Sequence, residues 1–201
     1  MYQVRIIDFI EIDSVVTIHN NAFPGFFLTL LGNRFLKLYY RSVLRHKDGI
    51  LLGCYDETEK LSGFCAATIS AKGFNTKLVK ANFFSFCSVG IYLLFTNANA
   101  LKHLYLNWSK KDNMQEDTED YAELLSIGVN SSSQGKGLGK FMLSELEKIV
   151  FKKGCKSISL TTDYHDNTKT LKFYKSMGYK VYYEFITYPN REMYRMIKLL
   201  K

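Results

Sequence analysis

Seven residues, Gln134-Gly135-Lys136-Gly137-Leu138-Gly139-Lys140, constrain this chain more than any others. Alternating glycines leave a strand-like stretch and open one with helical apolar spacing, where Leu138, Met142, Leu146 and Ile149 share a face. Glycine tolerates backbone conformations that other residues avoid and lets the main chain approach a ligand closely. Successive amide N–H groups can then turn toward one oxygen-rich ligand, and the following helix adds the positive end of its dipole. The pattern predicts a pyrophosphate site. Its spacing, Gly-x-Gly-x-Gly, differs from the Gly-x-Gly-x-x-Gly of dinucleotide-binding turns, and the Gly-Lys-Ser/Thr that ends a nucleotide P-loop is absent.

Periodicity organises the rest. Gln3–Asp8 reads as a strand, followed by a helix through Ile12, Val15, Val16 and Ile18. A second helix is predicted after Pro24-Gly25, with Leu28, Leu31, Phe35, Leu36, Leu38 and Tyr39 as its buried stripe. Ile50–Tyr55 and Leu61–Ser70 flank the polar turn Asp56–Lys60 and read as a hairpin. Tyr121–Asn130 is strand-like, Gly137–Lys153 helical and Ser157–Thr162 a further strand. Thr168–Met177 is a short helix closed by Gly178, and Tyr179–Thr187 pairs with Arg191–Leu199 around Pro189-Asn190. Between these halves lies an apolar stretch from Gly73 to Trp108, followed by the polar loop Ser109–Asp120. Its uninterrupted part, Phe83–Phe95, falls short of the ~20 residues of a spanning helix, so one or two inserted helices are expected, with no membrane span. A lid, a homodimer contact and a membrane-facing patch all remain open for this insertion.

A chain of 201 residues, 47% hydrophobic, has enough apolar surface for a single domain over 1–201. The N-terminus carries neither a secretory signal pattern nor an Arg-rich transit pattern, which predicts a cytoplasmic protein. Cys54, Cys65, Cys87 and Cys155 lack Cys-x-x-Cys spacing and read as buried free thiols, with no metal. A net charge of +8 favours anionic partners. Lys136, Lys140, Lys148, Lys152, Lys153 and Lys156 gather near the glycine loop in sequence, which points to a phosphate-bearing small molecule. No basic-aromatic module suggests nucleic acid.

The loop resembles the acyl-CoA loop of the GNAT superfamily, Gln/Arg-x-x-Gly-x-Gly/Ala, with Gln134, Gly137 and Gly139 at the defining positions. Upstream, Glu123–Val129 resembles the family's splayed fourth strand. Downstream, Asn167, Phe173, Tyr174, Gly178 and Tyr179 resemble its Asn…Phe-Tyr…Gly-Phe segment. The likeness covers roughly residues 121–185; residues 1–120 match only in the order of elements. It implies an α/β (α+β) fold, with a mixed, mostly antiparallel sheet of about seven strands flanked by helices and a helical insertion at 73–108. It also implies N-acetyl transfer from acetyl-CoA to an amine. Ile127, Gly128 and Val129 would offer main-chain groups to the pantetheine arm as an added strand would, and Gln134, Gly135, Lys136, Gly137, Leu138, Gly139 and Lys140 would hold the pyrophosphate. The Val129 N–H would polarise the thioester oxygen.

Such a transfer needs a base for the amine, a donor for the developing oxyanion and an acid for the departing thiolate. Glu123, read as sharing a strand face with Leu125, Ile127 and Val129, is the candidate base, with partial burial raising its pKa. A carboxylate at a strand start, or one that only binds a cationic acceptor, is the competing reading. Tyr174 lies about two helical turns after Asn167, so both side chains project from one face toward the coenzyme. Its neutral phenol could protonate the thiolate; a core aromatic is the alternative. Asn167 could serve as the helix N-cap as well. The acceptor is expected to be a small-molecule primary amine, such as an amino sugar or its nucleotide-linked form, between residues 22–27 and the insertion, where aromatic side chains stack on rings. A protein or peptide amine, or a non-catalytic acyl-CoA-binding regulatory module, are the other readings.

Overall fold

The computed structural model describes residues 2–99, 101, 102, 106, 117, 118, 120–187 and 189–201. The far end of the 73–108 insertion and most of the polar stretch 109–120 therefore lie outside the described residues. Seven strands build one sheet: β1 (Gln3–Ile6), β2 (Gly49–Tyr55), β3 (Leu61–Thr68), β4 (Ala122–Val129), β5 (Ser157–Asp163), β6 (Lys180–Thr187) and β7 (Arg191–Leu199). Their order is β1-β2-β3-β4-β5-β7-β6. The described helices are α1 (Ile12–Ala22), α2 (Phe27–Leu30), α3 (Gly32–Arg45), α4 (Phe74–Ala81), α5 (Phe83–Thr96), α6 (Leu138–Lys152) and α7 (Thr168–Ser176).

Every neighbouring strand pair is antiparallel except β4 and β5. The connection explains the exception. A short turn can reverse the chain between β2 and β3, whereas parallel strands need a crossover, which α6 supplies. The two sheet faces carry separate cores. On one, α1 and α3 set Val15, Leu36, Tyr40 and Val43 against Phe64 and Ala66, with Leu93 of α5 joining them. On the other, Leu138, Met142, Leu146 and Val150 of α6 and Tyr174 of α7 pack on Cys54, Cys65, Ile158 and Met196. Covered on both sides, β3 is buried at every position.

Several expectations change in detail. The single helix expected after Pro24-Gly25 is broken at Leu31, because Gly32 adopts a left-handed φ of 80° and redirects the chain. Cys54 and Cys65 are buried thiols, with pKa values pushed up by burial to about 11 and about 12, while Cys87 is exposed on α5. The lysine cluster divides. Lys136 and Lys140 flank the start of α6, whereas Lys152 ends that helix about 21 Å away at 1.5 Å per residue, and Lys148 pairs with Glu145 at 2.7 Å. Proximity in sequence does not become proximity in space along a helix of this length.

Candidate active site

The site begins with a defect in β4. Ser126 pairs with Ala66 and Leu124 with Ala67, so Leu125 is an extra residue without an opposite number on β3. A bulge of this kind bends a strand and re-aims its side chains. It also reverses the alternation, which corrects the face assigned to Glu123. Leu125 packs toward the α1/α3 core, as does Gly128, where an added Cβ would meet Phe64 at 2.9 Å and Ala22 at 3.3 Å. Ile127 and Val129 pack into the opposite core beside Met142. Glu123 thus shares its face with Leu125 but not with Ile127 and Val129.

Pairing of β4 with β5 is confined to Ala122–Leu124 against Ile158–Leu160. Beyond it the two strands part, and a cleft of about 390 Å³ opens between them, bounded by Ser126, Ile127, Leu160, Thr162, Asn167 and Tyr174. The main chain of Leu125–Val129 runs along this opening without β5 beside it. At its far end Gln134–Gly137 turn into α6. Gly135 and Gly137 both take φ of 78°, a region where a side chain is strained. No side chain caps α6, so the amides of its first turn remain available to an anion. Gly139 has a different reason to be small: a Cβ there would lie 3.4 Å from the Phe173 ring of α7. Gln134 donates from Nε2 to the Val129 carbonyl at 3.4 Å, tying the loop to the strand. These features fit the pyrophosphate and pantetheine of an acyl-CoA.

Tyr174 and Asn167 both face the cleft. Burial, with a smaller contribution from Cys65, raises the Tyr174 pKa, so its phenol stays a proton donor through neutral pH. Asn167 occupies the N-cap position of α7 but makes no side-chain cap; its amide donates instead to Thr162 Oγ1 at 2.6 Å and to the Asp163 carbonyl at 2.7 Å. It therefore ties α7 to β5, against the capping role considered above.

Glu123 lines a second, larger cavity of about 680 Å³, and is the one ionisable carboxylate among its described lining residues. Phe35 and Tyr39 of α3 and Phe86, Val89 and Leu93 of α5 form its walls. It adjoins the first cleft at Phe27, Leu28, Leu124, Leu125 and Thr161, which border both. Arg195 of β7 donates to Glu123 Oε1 and, at 3.4 Å, to Ser159 Oγ. Burial, the largest single influence, works against the charged guanidinium, but Glu123, Tyr121 and Tyr183 together outweigh it and the Arg195 pKa rises.

Three groups escaped the sequence reading. Arg195 is one, 72 residues from its partner. Arg191 is another: it donates to both Asp163 oxygens, and its guanidinium lies 5.0 Å from the Phe26 ring, joining β7 to the α1–α2 segment across the cleft mouth. The third is a buried chain in which His19 Nδ1 lies 2.7 Å from Tyr40 Oη, itself 3.0 Å from Ser126 Oγ. Burial lowers the His19 pKa to about 4, and Nε2 has no hydrogen-bond partner among the described residues. No sequence spacing signals these contacts.

Residues 12–179 match the model of the Acetyltransferase (GNAT) family. The chain belongs to the GNAT acetyltransferases. A mycothiol acetyltransferase of Gordonia bronchialis is 32% identical over 104 residues, a match spanning 51% of this chain and 32% of that relative. Among solved structures, an N-acetyltransferase from Staphylococcus aureus superposes with a TM-score of 0.64 at 11% identity, covering 100% of this chain and 99% of the other. Arabidopsis thaliana NAA60 in complex with a bisubstrate analogue gives 0.62 at 15%, covering 100% of both. The PaiA N-acetyltransferase of Thermoplasma acidophilum in complex with coenzyme A gives 0.56 at 16%, covering 99% of both. At these identities the likeness establishes the GNAT fold. The described residues contain no group of three or more potential metal ligands.

Proposed function

We propose that this GNAT protein transfers an acetyl group from acetyl-CoA to a primary amine of a small molecule. The observation that carries the reading is the junction of the two cavities at Leu124 and Leu125. An acyl chain running along β4 would present its carbonyl where an amine entering past Glu123 could reach it.

When bound, acetyl-CoA supplies the activated thioester. Main-chain groups of Ile127, Gly128 and Val129 align its arm, and the Val129 N–H polarises the carbonyl oxygen. The acceptor nitrogen forms the new C–N bond as the C–S bond breaks. Its proton passes toward Glu123, whose carboxylate also attracts the acceptor's cationic form, while the Tyr174 hydroxyl protonates the departing sulfur. Arg195 holds Glu123 in place. The uncapped amides of α6 and the Gln134–Lys140 loop carry the pyrophosphate.

The walls of the larger cavity support a ring-bearing acceptor. Aromatic side chains on α3 and α5 suit stacking on a ring, as in an amino sugar or its nucleotide-linked form. A peptide amine would favour an open groove, and α4 and α5 close this one on one side. The test is free-thiol release from acetyl-CoA over a panel of amino sugars, alkylamines and peptides. Turnover with small amines, lost in Tyr174→Phe, is expected. Turnover with peptides alone would overturn the acceptor assignment, and coenzyme binding with no turnover on any amine would make the protein a binding module.

A further inference from the structure

Helix α5 is apolar on both sides. Phe86, Val89 and Leu93 line the larger cavity, while Phe84, Ile91, Leu94 and Phe95 point away from it, Phe84 at 86% and Phe95 at 85% exposure. Phe84, Ile91 and Phe95 are spaced by seven and four residues and form one outward stripe. A face of this kind on a protein surface marks a contact site. Charge identifies the contact. From Lys60 to Lys111 the sequence contains no aspartate or glutamate and seven lysines. Lys77 and Lys80 lie on α4, and the Arg34 guanidinium sits 4.1 Å from the Tyr92 ring of α5. Among the described residues no single helix is long and apolar enough to cross a bilayer, but α4 and α5, bent by 93° at their junction, together have the length and composition. An apolar face on α5, exposed lysines on the preceding α4 and Arg34 against Tyr92, on elements too short to span singly, match the interfacial zone of an anionic bilayer.

We propose that α5 seats the protein on an anionic lipid surface, and that the acceptor amine is carried by an amphiphile whose apolar part enters the cavity behind α5. This rests on the amine-acetylation reading and deepens it; an amino sugar borne on a lipid satisfies both. The helix that would meet the bilayer with its outer face is also a wall of the acceptor cavity.

Two experiments test it. In the first, the protein is floated with vesicles of phosphatidylcholine alone or with 30% phosphatidylglycerol. At least about tenfold more protein is expected on the anionic vesicles, weakened by salt. A Phe84→Glu/Ile91→Glu/Phe95→Glu variant, altered only at exposed positions, is expected to stay unbound while titrating acetyl-CoA as the parent does. A Lys77→Glu/Lys80→Glu variant should lose the preference for anionic vesicles. Absence of flotation overturns the lipid surface, and so does a dimer in light scattering that the triple variant converts to a monomer without lipid binding by either. In the second, thiol release is followed over n-alkylamines from ethylamine to dodecylamine. A rise in kcat/KM of about twofold or more per methylene is expected while the cavity fills, and a flat series overturns the amphiphilic acceptor. Flotation with no turnover on any amine would fault the acetylation reading and leave the surface standing.

Discussion

The two ends of the proposed reaction are built from different materials. On the coenzyme side the ligand meets backbone: the β4 edge beyond Leu124, the left-handed Gly135 and Gly137, and the free amides opening α6. On the acceptor side it meets side chains from α3, α4, α5 and β4, brought together from distant parts of the chain. A backbone site needs particular conformations, and those leave glycines at fixed intervals in sequence. A side-chain site needs only that the fold converge, and it leaves no spacing at all.

The comparison can be broken most forcefully on the side-chain side. Replacing Arg195 by Met leaves Glu123 beside an apolar group in a place only partly open to water. A loss of about 3–5 kcal/mol is expected from denaturant unfolding, as for other broken buried pairs. A loss below about 1 kcal/mol would mean that the pair behaves as a surface one.

A pH profile tests the next group. His19 carries a folded-state pKa of about 4 against an ordinary value near 6.5, so the unfolded chain takes up the proton first. Stability contributed by neutral His19 is complete above pH 6.5 and is lost as pH falls toward 4, by about 3 kcal/mol at most. Carboxylates titrate in the same window, so the quantity to measure is the difference between the parent and His19→Phe, which should narrow as pH falls. A difference independent of pH would show that His19 is not held neutral.

Tyr174→Phe addresses the chemistry. A fall in kcat of about 100-fold is expected with acetyl-CoA affinity nearly unchanged, the signature of a lost proton donor. The smallest effect should come from Lys136→Ala. If backbone amides carry the pyrophosphate, removing this exposed charge weakens coenzyme binding by less than about fivefold, and less still at high salt.

The same division explains what was legible. The loop, the helix after it, the strand before it and the closing β6–β7 pair could be read because each depends on local conformation or period. Gly178, with φ of 90°, sits past the end of α7 as its sequence position suggested. The bulge at Leu125 was not legible. Nothing in Leu124-Leu125-Ser126 departs from an ordinary strand, and the extra residue is defined only by pairing with Ala66 and Ala67 on another strand. Its effect was to place Ile127 and Val129 on the face opposite Glu123. Arg195 and the His19–Tyr40–Ser126 chain were hidden for the same reason, as contacts across 72, 21 and 86 residues.

The central claim is that the Gln134–Lys140 backbone holds the coenzyme, and isothermal titration of acetyl-CoA into the parent and a Gly137→Glu variant tests it most directly. The account predicts saturable binding by the parent and at least about 100-fold weaker binding by the variant, since a carboxylate at the helix start opposes the pyrophosphate. Thermal unfolding should show both proteins folded. Equal binding by the two, or none by the parent, would contradict it.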